Sequence, residues 1–136
     1  MADTNENKIR VAVIEDGLRH QEVRRNISKE VLGIPNFYLD VVASLCALHE
    51  IRGYGLILVN PIILPIHKLG LSLENLVRTS PETQQIAIIE HRPLQTKEKT
   101  VLGKTIPIVA YKDTARYVKD YVDRKLAEAN ADTKEK

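Results

Sequence analysis

The stretch Ile9-Arg10-Val11-Ala12-Val13-Ile14-Glu15-Asp16 decides how this chain is read. Five of its first six residues are apolar, with one interruption at Arg10. Such nearly continuous apolar content is expected of a parallel strand whose sheet is covered on both faces. The run then stops on two adjacent carboxylates, so the strand ends where acidic chemistry begins.

Outward from this octapeptide the same composition recurs at residues 56–59 (Leu-Ile-Leu-Val) and 86–89 (Ile-Ala-Ile-Ile), and further strands are expected over 37–43 and 106–111. Amphipathic stretches lie between them. Over residues 19–32, Val23, Ile27 and Val31 recur every four residues and form one apolar stripe. A second helix is expected over 44–52, and a shorter third one carries Leu73, Leu76 and Val77 before Ser80-Pro81 ends it. The last helix repeats the pattern with Ala115, Val118, Val122, Leu126 and Ala129, with Asp113 or Thr114 placed to cap it. Alternation of this kind is the βαβ signature. Residues 92–105 break the pattern, being rich in Lys and Thr and containing Pro93 and Gly103, and are read as a loop with weak helix at most.

A chain of 136 residues fits one domain with a core of its own. With five Tyr, one Phe and no Trp, that core must be aliphatic. Residues 1–7 and 130–136 read as polar tails around a folded part spanning 8–129. Lysine and arginine total 20 against 18 acidic residues, which leaves no electrostatic footprint for nucleic acid or an anionic membrane. Cys46 is the single cysteine, so no internal disulfide forms, and no apolar run approaches the roughly 18 residues of a membrane span. A cytoplasmic location is expected.

In an open parallel sheet, ligands bind beyond the carboxyl ends of the strands, so the residues just past each strand carry the functional argument. Here they are Glu15 and Asp16, Asn60, Glu90 and Lys112. An acidic pair closing the first strand and a lysine closing the last one before a helix resemble the receiver domains of two-component signalling, over nearly the whole chain. That resemblance implies a flavodoxin-like α/β fold: a five-stranded parallel sheet in order 2-1-3-4-5 with helices on both faces. It also implies that Glu15 and Asp16 correspond to the pair that holds a divalent ion, and Lys112 to the lysine that pairs with the phosphoryl group. Two positions depart from the family. Asn60 stands where the phosphoacceptor aspartate belongs, and an amide has no nucleophilic oxygen for acyl-phosphate chemistry. Glu90 stands where a Thr or Ser should donate, and an ionised carboxylate only accepts.

The chain is therefore read as a pseudo-receiver: a stand-alone, phosphorylation-independent signalling or scaffold protein that is not an enzyme and uses no cofactor. Its partner is expected to be a protein, or a second copy in a homodimer, met through a face carrying Tyr111, Tyr117 and Tyr121; neither nucleic acid nor membrane is expected to bind. Lys112 is expected to pair with Asp16 or Glu90 and fix the strand ends. The alternative is a switch that responds to a divalent cation or small ligand, with Mg²⁺ at Glu15 and Asp16, joined by Glu90 in a three-carboxylate cluster. Other signals fall away. Gly103-Lys104-Thr105 lacks the earlier glycine of a P-loop, Gly53-Tyr54-Gly55 precedes a strand and reads as a turn, and the four histidines show no ligand spacing. The apolar loop between Pro61 and Pro65 lies beside the candidate site, and the basic residues Arg19, Arg24, Arg25 and Lys29 read as a solvated helix face.

Overall fold

A computed structural model describes residues 8–43, 53–60 and 73–134. The helix expected over 44–52, with Cys46 and His49, and the stretch holding Pro61, Pro65 and His67 lie outside them. The described elements run in the order β1 (Ile9–Ile14), α1 (His20–Glu30), β2 (Phe37–Val42), β3 (Leu56–Val59), α2 (Leu73–Thr79), β4 (Gln85–Glu90), β5 (Glu98–Val101), β6 (Lys104–Ala110) and α3 (Thr114–Lys134). Single 3₁₀ turns, Gly17–Arg19 and Tyr111–Asp113, lead into α1 and α3.

The sheet is α/β in character and mostly parallel, with six strands in the order β2-β1-β3-β4-β6-β5. It is compatible with a flavodoxin-like fold, but its strand count and order differ from the expected five in order 2-1-3-4-5. The sixth strand is β5, which pairs antiparallel with β6 and forms one edge of the sheet. Residues 92–97 are irregular, as expected of a loop, but 98–105 form this hairpin instead. Val101 faces Lys104 in the register, so Leu102 and Gly103 alone make the turn, with φ of 50° and 80°. Two successive positive φ values define a type I′ turn, whose usual signal is Asn-Gly or Asp-Gly. Leu at the first position hides that signal. The outer residues Glu98, Lys99 and Thr100 are exposed, and charges on an edge strand discourage further pairing.

Alternation along the central strands divides the core in two. Val11, Val13, Leu56, Leu58, Ala87 and Ile89 meet the stripes of α1 (Val23, Ile27) and α3 (Val118, Tyr121, Val122) on one face. On the other face Ala12, Ile14, Ile57, Val59, Ile86 and Ile88 pack with Leu76 and Val77 of α2. Each of the four residues of β3 is fully buried, as required of a strand sandwiched between helical layers. α3 continues to Lys134, into the stretch 130–136 that the sequence reads as a polar tail. Thr114 opens it with its hydroxyl buried and outside any hydrogen bond among the described residues, so the cap expected from Thr114 is not made.

Tyr121 belongs to this core. It is 2% exposed, and its phenol reaches Gly55, where a methyl group would lie 2.0 Å from the oxygen. The turn Gly53-Tyr54-Gly55 thus ends in a glycine because no side chain fits under Tyr121. Burial, with a smaller contribution from Glu128, pushes that phenol up to about 12. Tyr121 is consequently not part of an exposed partner face.

Candidate functional site at the strand ends

The parallel ladders continue one residue past their strands and set the geometry of the site. Glu15 N–H donates to the Val42 carbonyl at 2.9 Å and Asn60 N–H to the Ile14 carbonyl at 2.9 Å. Because Ile14 is in register with Val59, Glu15 and Asn60 emerge side by side. Likewise Glu90 is in register with Ala110, which sets His91 next to Tyr111.

Glu15 is completely buried, and its carboxylate is enclosed by donors. Oε1 accepts from the Asp16 N–H at 2.8 Å and from Asn60 Nδ2 at 2.7 Å. Oε2 accepts from His91 Nε2 at 2.6 Å. His20 Nε2 meets the Glu15 backbone carbonyl at 2.8 Å. A carboxylate removed from water needs donors on both oxygens, and here each oxygen has at least one. The His91 ring, 21% exposed, stacks on Tyr111 with centroids 4.3 Å apart. Tyr111 donates its hydroxyl to Glu22 of α1, and the Arg19 guanidinium lies 5.2 Å from its ring centre. Burial, then the acceptor Glu22, push the Tyr111 phenol up to about 12. One connected network, Asn60–Glu15–His91–Tyr111–Glu22, therefore ties the ends of β1, β3, β4 and β6 to α1.

The residues singled out from sequence fall into two groups. Glu15 and Asn60 meet inside this network. Asp16, Glu90 and Lys112 do not join it. Asp16 is exposed and accepts from Leu18 N–H at 2.9 Å, fixing the 3₁₀ turn that starts α1. Glu90 pairs with Arg92 at 2.7 Å, an exposed contact of the kind that contributes little stability. Lys112 is exposed, and among the described residues it pairs with neither Asp16 nor Glu90, contrary to expectation. The three-carboxylate cluster is not assembled either: Glu15 is enclosed by Asp16 N–H, Asn60 and His91, Asp16 caps a turn and Glu90 faces Arg92. No group of three or more His, Cys, Asp or Glu is arranged for a metal among the described residues. The residues present thus do not fit the Mg²⁺ site that the acidic pair suggested.

Sequence reasoning missed His91 and His20. The four histidines were judged by spacing along the chain, whereas His91 reaches Glu15 across β3 through tertiary contact. A signal was available: His91 directly follows a strand, the same criterion that selected Asn60. The three expected partner-face tyrosines do not share a surface. Tyr111 is engaged at the strand carboxyl ends, Tyr117 is partly buried against the α1–α3 side of the core, and Tyr121 lies within it.

No described helix is long and apolar enough to cross a membrane. Comparison of the chain with protein families, with curated proteins and with solved structures yields no match.

Proposed function

We propose that this chain is a receiver-like pseudo-receiver that works as a phosphorylation-independent signalling or scaffold module, acting through protein contacts or self-association. The observation that carries this reading is the bond from Asn60 Nδ2 to the buried carboxylate of Glu15 at 2.7 Å. The side chain at the phosphoacceptor position is a donor held against an acid, so it offers no nucleophilic oxygen, and the acid is not free to bind a cation. His91 on the other Glu15 oxygen supports the same conclusion, because a phosphoryl group there would have to displace the imidazole.

Such a module presents one conformation of its strand ends to a partner. Surface suited to contact is available: Leu18 is 93% exposed beside the strand-end network, and Leu94 and Leu102 on the β4–β6 side are 40% and 51% exposed. The reading is tested by incubating the native chain and Asn60→Asp with acetyl phosphate and Mg²⁺ and quantifying covalent phosphate by intact mass. The native chain is expected to stay unlabelled. Stoichiometric, acid-stable and base-labile label on it would refute the reading.

A further inference from the structure

The network leaves one reactive group that the proposed function does not use. His91 Nε2 is committed to the Glu15 carboxylate, which can only accept, so the tautomer of the uncharged ring that fits this contact carries its proton on Nε2. The second nitrogen, Nδ1, then holds a lone pair, and it makes no hydrogen bond among the described residues. Tyr111 fixes the ring by stacking, and His91 lines a cleft of about 640 Å³ together with Pro93, Leu94, Tyr111 and Lys112. A buried carboxylate orienting an imidazole is the arrangement that activates imidazole in acyl transfer.

Charge selects the substrate class. Among the cleft residues Glu90 pairs with Arg92, and the formal charges of Lys112 and Asp113 are opposite without an ion pair between them, so the carboxylates and cations of the lining balance in number. This does not favour a phosphorylated or polyanionic substrate. Pro93 and Leu94 instead offer apolar surface to an uncharged one.

We infer that His91, positioned by Glu15, is the nucleophile of a cleft that hydrolyses activated, uncharged carboxylic esters. The Nδ1 lone pair attacks the carbonyl carbon, the N–C bond forms, the ester C–O bond breaks, and the alkoxide or phenolate departs with the electron pair. The acyl-imidazolium keeps its Nε2–H on Glu15, whose negative charge offsets the new positive one. Water then attacks the same carbon, the C–N bond breaks, and the free acid and neutral imidazole are released with one proton lost to solvent. Ester and water become acid and alcohol with no other reactant. Among the lining residues Lys112 is the cation outside an ion pair. This activity goes beyond the interaction module proposed above and does not depend on it.

The test uses the full chain with p-nitrophenyl acetate, following p-nitrophenolate release. The native rate is expected to exceed that of His91→Gln, which retains an N–H donor for Glu15, by about a hundredfold. Glu15→Gln is expected to lower kcat at unchanged KM, as befits a positioning residue. Should Glu15→Gln fail to fold, carbethoxylation of the native chain by diethyl pyrocarbonate, mapped by peptide mass spectrometry, decides the matter: His91 is expected to react faster than His20. Equal hydrolysis by the native chain and folded His91→Gln, or His91 reacting no faster than His20, overturns the inference.

Discussion

His91 Nε2 lies 2.6 Å from Oε2 of a Glu15 that is wholly removed from solvent, and this pair joins the end of β4 to the end of β1 across β3. Removing one partner of a buried charge leaves the other without compensation, which is costly. His91→Ala is expected to destabilise the protein by about 2–4 kcal/mol, read as a lowered denaturant midpoint at unchanged slope. His91→Gln, which retains a donor, is expected to cost roughly half as much. Equal, near-zero losses for both would show that Glu15 does not need this partner.

Asn60→Asp sets a carboxylate against Glu15 Oε1, where the amide now donates at 2.7 Å. A donor is lost and two carboxylates face each other in a buried site. The variant is expected to be less stable by about 2–3 kcal/mol near neutral pH, and less so in mild acid, where one carboxyl can take a proton. Urea denaturation at two pH values distinguishes this from an Asn60→Ala control, whose loss should not depend on pH in the same way.

Gly55→Ala is expected to cost about 1–3 kcal/mol, because its methyl would stand 2.0 Å from the Tyr121 hydroxyl in a packed core. Combining it with Tyr121→Phe should recover part of the loss, so that the double-mutant cycle shows coupling. Strict additivity would mean that the clash is relieved elsewhere.

Alkaline pH should weaken the fold in a defined window. The Tyr111 and Tyr121 phenols are pushed up to about 12, first by burial, whereas in the unfolded chain tyrosine ionises near pH 10. Between these values the unfolded state has released protons that the folded state keeps. The stabilisation is therefore complete below about pH 10 and is lost as pH rises toward 12. Denaturation series from pH 8 to about 11.5 should show this decline, and Tyr111→Phe should make it shallower. A slope identical in the variant would remove Tyr111 from the account.

Much of this architecture was legible in the sequence because aliphatic strands buried on both faces declare themselves. Residues 56–59 coincide with β3, and 9–14 with β1. What escaped depended on backbone conformation or on contact across the sheet. Leu102 at φ 50° sits where Asn or Gly is the usual choice, so the hairpin lacked its signature. Leu102→Asn is accordingly expected to stabilise the protein by about 0.5–1 kcal/mol, through relief of the left-handed conformation. The site divided in the same way. Glu15 and Asn60 were found because strand ends are readable. Glu90 turns to Arg92 while the next residue, His91, reaches Glu15, because one residue at a strand end decides which side chain turns inward.

The central claim is that the crevice at the strand ends is filled by Glu15, Asn60 and His91 and takes neither cation nor phosphoryl group. The most direct measurement is a titration of the isotopically labelled chain with Mg²⁺ and beryllofluoride, followed through backbone amide shifts. The amides of Glu15, Asp16, Asn60, His91 and Lys112 are expected to stay in place up to millimolar additions. Saturable, concerted shifts at these positions would contradict the account and restore a ligand-responsive switch.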